Sequence, residues 1–246
     1  MARSSRTLRP PIILLGNVRS GTSMTMWSFD KLPHVCVWRE PRPVWMFADP
    51  GRRHDRFTEE DATPRVVKYI RRRFLQHQRE NGGRRVFEKT PSNVMRLPYV
   101  RRILPECKFV YIVREPLANL SSSDIRWQEF IGWERFRMRM KVTPRSQLHY
   151  YAARFARDFY LKKILKRRSP SVWGVRYPGI YEDLTRLTTE EVIATQWVRC
   201  CQQMDEDLEG VPDGLVLRVR YEDFVEHPVD VFEGMLAHFD ERMTPE

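Results

Sequence analysis

A glycine-containing turn at residues 16–23 carries residue types that suit the binding of an anion. It follows the apolar run Ile12–Leu15 and precedes a stretch at residues 24–29 that predicts a helix. A turn between a strand and a helix directs backbone N–H groups and the positive helix end at one point, which favours a negatively charged ligand. One cation and three hydroxyl groups add to these donors: Arg19, Ser20, Thr22 and Ser23. An ordinary glycine turn after a strand is the alternative interpretation.

The residue after the second glycine separates this turn from the loop of nucleotide-hydrolysing enzymes. That loop reads Gly-x-x-x-x-Gly-Lys-Ser/Thr, and its lysine reaches the phosphates. Gly16 and Gly21 have the same spacing here, but Thr22 replaces the lysine, and the cation lies inside the loop at Arg19. The pattern therefore predicts a phosphate-binding loop without Mg²⁺–triphosphate chemistry. A P-loop kinase or nucleotide hydrolase is the alternative, and a requirement for Mg²⁺ would reveal it.

A sheet must hold this turn, and four short apolar runs predict its strands. They lie at residues 12–15, 85–87, 109–113 and 215–219. Such runs are typical of buried parallel strands, and the helical stretches between them predict a layer of helices on each face. Ligands of these folds bind at the carboxyl ends of the strands, where the turn begins. We therefore predict an α/β fold, a P-loop-like three-layer sandwich with a central parallel sheet.

Capping residues predict where several helices begin. Thr90 and Thr143 each precede a proline, so that each could cap a helix whose first residue is proline. Thr188 and Glu191 have the spacing of a capping box. The last helix is expected to begin near Pro228.

Length and composition indicate one globular domain. The 246 residues, of which 41% are hydrophobic, are enough to bury a substantial core. We expect residues 1–246 to form a single domain, in which residues 124–178 are a helical cap. Lys and Arg number 43 against 32 Asp and Glu, which gives a formal charge of +11. This excess favours an anionic partner, whether nucleotide, nucleic acid, acidic glycan or membrane surface.

Cysteine spacing and hydropathy exclude two other classes of protein. The four cysteines form no CxxC pair or Cys/His cluster, so we expect buried free thiols and no metal site. The apolar run Ile12–Leu15 is far too short to span a bilayer, and no apolar run exceeds five residues. No apolar stretch of signal-peptide length follows the basic residues 1–10. We therefore expect a soluble, cytoplasmic chain, although a chain trimmed of a membrane anchor would look the same.

Four motifs in chain order resemble those of the sulfotransferases that use 3′-phosphoadenosine 5′-phosphosulfate (PAPS). The pattern is closest to the tyrosylprotein branch and its bacterial relatives, and it spans roughly residues 12–239. The motifs are Arg-Ser-Gly-Thr-Ser at residues 19–23, Glu-Lys-Thr-Pro at residues 88–91, Arg114 with Ser122 eight residues later, and Arg-Tyr-Glu-Asp-Phe at residues 220–224 with Pro228. Trp197 precedes the last motif at a distance that is typical of the family. Members of the family usually continue past the last helix with a segment that completes the nucleotide site, whereas this sequence ends at Glu246.

The resemblance implies transfer of a sulfuryl group from PAPS to a hydroxyl or amine of an acceptor. It assigns the 5′-phosphosulfate of PAPS to a set of loop residues: Arg19, Ser20, Gly21, Thr22 and Ser23. It assigns the 3′-phosphate to Arg114 and Ser122, with Arg126 as a further contact one helical turn later. Such transfer depends on positioning and charge stabilisation, and no metal is expected.

Lys89, Glu40 and Arg19 are the candidates for the chemical step. Lys89 ends a predicted strand just before a helix N-terminus. The lysine charge and the positive helix end would together stabilise the leaving group, and a surface lysine without this role is the alternative. Glu40 lies twenty-one residues after Arg19, the offset of the glutamate base in the tyrosylprotein branch, and could accept the proton of the acceptor. Because Glu40 lies between Arg39 and Arg42, an ordinary ion pair is the alternative.

The acceptor is less defined by the sequence than the donor. His34 and His54 are reserve candidates for the base, and residues 173–179 could line a pocket or belong to the scaffold. The basic stretch at residues 65–73 indicates a solvated face in preference to an acceptor-binding surface. A sugar hydroxyl, a tyrosine phenol and a small metabolite are alternative acceptors, and the Arg- and aromatic-rich cap favours a carbohydrate or other polar acceptor. Glu40 lacks the paired second glutamate of the tyrosylprotein branch, which weakens the case for tyrosine. No nucleic-acid partner is expected, and a catalytically impaired relative that binds a polyanion or 3′-phosphoadenosine 5′-phosphate (PAP) is the second alternative.

Overall fold

Five parallel strands form the central layer of the computed structural model, which describes residues 7–127, 137, 140–141, 143–160 and 172–241. In chain order they are β1 (Ile12–Leu15), β2 (Val35–Arg39), β3 (Arg85–Lys89), β4 (Lys108–Val113) and β5 (Val216–Arg220). Across the sheet they stand in the order β2-β3-β1-β4-β5, and every pairing is parallel. The predicted parallel sheet is therefore confirmed. Four strands lie where the apolar runs predicted them, and β2 was not predicted.

Helices connect these strands. They are α1 (Thr22–Asp30), α2 (Arg42–Trp45), α3 (Pro64–Glu80), α4 (Leu97–Ile103), α5 (Pro116–Trp127), α6 (Leu148–Phe159), α7 (Ile180–Asp183), α8 (Thr189–Leu208), α9 (Tyr221–Glu226) and α10 (Pro228–His238). Short 3₁₀ helices lie at Glu59–Asp61, Pro91–Met95 and Arg145–Gln147. The last helix begins at Pro228, as predicted.

The sheet buries both faces. Alternate residues of a strand point to opposite sides, so Ile12 and Leu14 face one side of the sheet, and Ile13 and Leu15 face the other. The first pair packs in a cluster with residues of α1, α9 and α10. The second pair packs with residues of α3, α4 and α8. All four side chains are at most 1% exposed, and this burial explains why the strand is apolar throughout. The predicted three-layer arrangement is confirmed.

One of the predicted helix caps is confirmed, one has the predicted position without the capping bond, and one is wrong. The Thr188 hydroxyl accepts from the Glu191 N–H at 3.3 Å, and the Glu191 carboxylate accepts from the Thr188 N–H at 2.8 Å. Thr90 stands at the N-cap of the 3₁₀ helix that begins at Pro91, as predicted, but its hydroxyl donates to the buried carboxylate of Glu88 and makes no capping bond. Thr143 does not cap a helix, since Pro144 has an extended ψ of 138° and the 3₁₀ helix begins only after it.

The predicted cap, residues 124–178, is described in part. The described residues include the end of α5 and all of α6. Residues 128–136, 138–139, 142 and 161–171 lie outside the described residues. The helical cap and the single domain therefore stay predictions.

The cysteines are free thiols, as predicted, and three of the four are buried. Cys36, Cys107 and Cys200 are buried, and Cys201 is half-buried. Within the described ranges, no helix combines the length and the apolar composition needed to cross a bilayer.

Candidate active site

The loop between β1 and α1 contains two glycines at positions where a side chain would clash with neighbouring atoms. A Cβ atom at Gly16 would lie 2.7 Å from Thr22 Cγ2 and 2.9 Å from the carbonyl oxygen of Ile112. Gly21 stands at the N-cap of α1 with φ of 88°, and a Cβ atom there would lie 2.4 Å from the ring of Tyr221. The positive end of α1 therefore begins beside the carboxyl edge of the sheet, as the sequence predicted. Such a helix end favours an anion.

Arg19 links this loop to the segment after β4. Its backbone is left-handed, with φ of 63°, a conformation that costs a residue with a side chain about 1 kcal/mol or more. Its Nε donates to Ser122 Oγ at 2.8 Å, and its carbonyl oxygen accepts from Arg114 Nη1 at 3.0 Å. The structure thus brings together Arg19, Arg114 and Ser122, which come from two separate sequence motifs.

Arg114 follows β4 directly and is held from two further sides. Its guanidinium lies 4.4 Å from the centroid of the Tyr221 ring, and its carbonyl oxygen accepts from Trp197 Nε1 at 3.2 Å. The carboxylate of Glu222 accepts from the N–H of Glu115 at 3.0 Å. The motif at residues 220–224 and Trp197 therefore position Arg114. Arg114 Nε is buried and has no hydrogen-bond partner among the described residues.

Asn119, on α5, is a site residue that the sequence analysis missed. It is 1% exposed, and its Nδ2 donates to the carbonyl oxygen of Val18 at 2.8 Å and to Ser20 Oγ at 3.1 Å. These bonds fasten α5 to the loop. A signal was available, because an asparagine inside a helix is unfavourable unless its amide has a partner.

Lys89 and Glu40 lie together at the carboxyl edge of the sheet. Lys89 is the last residue of β3 and pairs with Leu14 of β1 on one side and Arg39 of β2 on the other. Lys89 Nζ donates to Glu40 Oε1 at 3.0 Å, and the two side chains are 5% and 33% exposed. Lys89 is therefore not a surface lysine, and its charge lies between the strand that leads into the loop and the strand that leads to Glu40.

The backbone of Glu40 is also constrained. Its φ is 50°, its N–H donates to the carbonyl oxygen of Lys89 at 2.9 Å, and its carbonyl oxygen accepts from the N–H of Arg42 at 2.7 Å. The guanidinium of Arg42 turns elsewhere, to Asp55 and to the carbonyl oxygen of Gly174. Glu40 thus forms an ion pair with Lys89, which the pairing of β2 with β3 brings beside it.

Glu88, the residue before Lys89 in β3, is a buried carboxyl group beside the pair formed by Lys89 and Glu40. It is fully buried and accepts from Trp45 Nε1 at 3.1 Å, from Asn93 Nδ2 at 2.8 Å and from the Thr90 hydroxyl. Burial raises the pKa of Glu88 to about 7, although these hydrogen bonds act in the opposite direction. Trp45 lies in α2, Thr90 directly follows Lys89, and Asn93 lies in the 3₁₀ helix after it. Glu88 therefore links the segment that follows β2 to the segment that follows β3.

Asp55 is a second buried acid that the sequence analysis missed. It accepts from Arg176 Nη2 at 2.7 Å, from Ser92 Oγ at 2.7 Å and from the Arg42 guanidinium. Burial alone would raise the pKa of Asp55, but the positive charges of Arg42 and Arg176 outweigh it and hold this pKa well below its usual range. Through Arg176 this acid anchors residues 173–179, whose role is therefore at least in part that of scaffold.

The reserve candidates lie in different places. His34 precedes β2 at the amino edge of the sheet, 2.6 Å from Glu241 Oε2 and at the end of the strand opposite to Glu40. His54 precedes Asp55, and burial followed by the charge of Arg52 lowers its pKa. The side chain of Arg126 lies outside the described part of the chain. In the described ranges, no three His, Cys, Asp or Glu side chains lie together as a metal-binding group.

Comparison of the sequence with family profiles gives a match that covers most of the candidate site. Residues 10–169 match the profile of a family described as "Sulfotransferase family". This range contains the loop, Lys89, Glu40, Arg114 and Ser122. No match was found among the curated proteins.

Comparison with solved structures gives the same fold. A sulfotransferase domain from the curacin biosynthetic pathway is 14% identical with a TM-score of 0.55, over 97% of this chain and 76% of that one. A sulfotransferase from Alicyclobacillus acidocaldarius is 14% identical with a TM-score of 0.55, over 98% of this chain and 85% of that one. A sulfotransferase from Mycobacterium avium is 13% identical with a TM-score of 0.53, over 96% and 65% of the two chains. Likeness at these identities establishes the fold.

Proposed function

The chain belongs to the sulfotransferase family, and we propose that it transfers a sulfuryl group from PAPS to a hydroxyl or amine group of an acceptor. Family membership makes it a sulfotransferase enzyme, and members of the family generally use PAPS as the donor. One observation carries the proposal for this chain: the Lys89 ammonium lies beside the Glu40 carboxylate, at the edge of the sheet where β1 enters the loop.

The donor would bind along the loop and the start of α5. The 5′-phosphosulfate is assigned to the loop residues Arg19, Ser20, Gly21, Thr22 and Ser23, and the 3′-phosphate to Arg114, Ser122 and Arg126. The contacts between Arg19, Arg114 and Ser122 support this assignment, because they place two guanidinium groups and a hydroxyl in one network. A buried Arg114 Nε without a partner among the described residues is costly, and a phosphate oxygen would satisfy it.

The reaction would be a direct, in-line transfer. The acceptor oxygen or nitrogen forms a bond to sulfur, and the bond from sulfur to the bridging oxygen of the phosphosulfate breaks. The electron pair of that bond stays on the phosphate of PAP, so negative charge grows on the bridging oxygen. Lys89 would stabilise this charge, and Glu40 would accept the proton that the acceptor loses.

The ion pair between Lys89 and Glu40 is compatible with both roles. An ammonium carries three N–H donors, so Lys89 can donate to Glu40 and to the leaving group at once. The contact at 3.0 Å also fixes the direction of the carboxylate. In an in-line transfer the acceptor and the bridging oxygen lie on opposite sides of sulfur, so Lys89 and Glu40 would have to flank the sulfuryl group, Lys89 at the bridging oxygen and Glu40 at the acceptor.

Arg114→Ala tests the donor assignment. The variant should bind PAPS about 10- to 100-fold more weakly, because a charge-assisted hydrogen bond contributes about 1.5–3 kcal/mol. Adenosine 5′-phosphosulfate, which lacks the 3′-phosphate, should lose less than about threefold. Arg218→Ala is the matched control, since Arg218 lies on β5 with 60% of its side chain exposed. Equal losses for the two nucleotides would show that the role assigned to Arg114 is wrong.

A further inference from the structure

A cavity of about 490 Å³ lies between α3 and the described residues 140–141 and 143–148, apart from the contacts described above. Its walls include Tyr69, Arg73, Lys141, Thr143, Arg145 and Leu148. This volume is within the range of about 300–1,000 Å³ that sites for small ligands occupy.

The walls of this cavity are positively charged. They contribute three cations, Arg73, Lys141 and Arg145, and none of the described lining residues is an aspartate or glutamate. Arg73 Nε is buried and has no hydrogen-bond partner among the described residues, although its Nη1 donates to Gln76 at 2.7 Å. One buried donor and an excess of positive charge among the described lining residues favour an anionic ligand.

The cavity lies at the same edge of the sheet as the proposed catalytic residues. Helix α3 packs along β2, with Phe74 against Trp38 at a centroid distance of 5.0 Å. Tyr69, five residues earlier in α3, lies about 7.5 Å further along the helix axis. It stacks on Phe47 at 3.7 Å, beyond the carboxyl end of β2, where Glu40 also lies.

The opposite wall is attached to the same segment. Gln147 Nε2 donates to the carbonyl oxygen of Phe47 at 3.4 Å, and both Thr143 and Gln147 are buried. Phe47 follows Glu40 by seven residues, through the single turn of α2. Both walls therefore contact Phe47, in the segment that follows Glu40 in the chain.

We propose that this cavity is the acceptor subsite and that it binds an acidic saccharide through a carboxylate or sulfate group on a sugar ring. The inference rests on the proposed function, because it takes Glu40 as the position of the accepting hydroxyl. The three cations supply the charge for the acidic group, and Tyr69 supplies an aromatic wall for the face of a ring. A saccharide of about two rings is of a size that such a cavity holds.

Binding of a chondroitin tetrasaccharide to the full chain, measured by calorimetry with PAP present and absent, tests this inference. The carboxyl-reduced tetrasaccharide is the neutral comparison. The acidic form should bind at least tenfold more tightly. Arg73→Gln and Arg145→Gln, on the two walls, should each remove most of that difference. Arg72→Gln is the matched control, because Arg72 is exposed on the same helix and does not line the cavity.

Three results would overturn the inference. They are no binding of the tetrasaccharide, equal binding of its acidic and neutral forms, or equal losses in Arg72→Gln and Arg73→Gln. The last would indicate attraction to the overall positive charge. Tighter binding of a glutamate-flanked tyrosine peptide than of the tetrasaccharide would also contradict it. PAP binding is also titrated without the tetrasaccharide. Loss of PAP binding would contradict the donor assignment, whereas loss of tetrasaccharide binding alone would contradict the acceptor subsite.

Discussion

Replacement of Lys89 by alanine tests the chemical step. Lys89 is 4% exposed at the end of β3, and its ammonium contacts Glu40 at 3.0 Å. The variant removes the one cation that we assign to the bridging oxygen of the leaving group. It leaves the loop and Arg114 in place, so PAP should bind within about threefold of the wild-type affinity.

The size of the effect follows from Coulomb's law. If Lys89 Nζ approaches the bridging oxygen as closely as it approaches Glu40, 3.0 Å, two unit charges interact by about 5.5 kcal/mol at an effective dielectric constant of about 20. Only the part of this energy that develops during the reaction raises the rate. Taking about 3–4 kcal/mol for that part, turnover should fall about 10²- to 10³-fold.

The assay is release of PAP from PAPS under saturating donor, with the acceptor that gives the fastest turnover. Lys68→Ala is the matched control, since Lys68 is an exposed lysine on α3. Lys89→Arg retains the charge and should recover part of the rate. Thermal unfolding of each variant is measured in parallel, because Lys89→Ala leaves Glu40 without this partner.

Two results would refute this reasoning. Turnover within about threefold of wild type would show that Lys89 does not stabilise the leaving group. A loss of PAP affinity as large as the loss of turnover would show that Lys89 acts in nucleotide binding instead.

Three further predictions concern the base, the loop and the buried acid. Glu40→Gln should lower turnover about 10²- to 10⁴-fold and remove the fall in rate on the acid side of the pH profile, with PAP affinity unchanged; an unaltered profile would exclude Glu40 as the base. Gly21→Ala should destabilise the protein by about 1–3 kcal/mol more than Gly82→Ala in urea unfolding. Both glycines have positive φ, but only at Gly21 would a Cβ atom meet a side chain, that of Tyr221; equal losses would contradict the contact. Glu88 has a pKa raised from 4.5 to about 7, so its contribution to stability is fully present below pH 4.5 and is lost as the pH rises through 7. The free energy of unfolding should therefore fall by about 3 kcal/mol over that interval, and a fall that persists in Glu88→Gln would contradict this assignment.

Local patterns were sufficient to predict the loop and most of the sheet. The turn from Gly16 to Ser23 was identified because its glycines, cation and hydroxyl groups are adjacent in the chain. The strands at residues 85–87 and 109–113 were identified because strands buried on both faces are apolar throughout. Strand β2 has the same apolar character at Val35–Trp38 and was missed although it is longer than β1.

Contacts between distant residues could not be predicted. Asn119 meets Val18 and Ser20 about a hundred positions earlier, and Asp55 meets Arg176 across 121 positions. The partner of Glu40 was sought among its neighbours in the chain, whereas the parallel pairing of β2 and β3 places Lys89 beside it. Strand order determines such contacts, and the sequence patterns constrain strand order only weakly.

The most direct test of the central claim is a calorimetric titration of the purified chain with PAP, compared with AMP and with ATP–Mg²⁺. PAP should bind at least tenfold more tightly than AMP, and ATP–Mg²⁺ should bind no better than AMP, because Arg114 and Ser122 are assigned to the 3′-phosphate. Equal affinity for PAP and AMP would leave the fold standing and contradict the proposed donor site, and a preference for ATP–Mg²⁺ would indicate a kinase or nucleotide hydrolase.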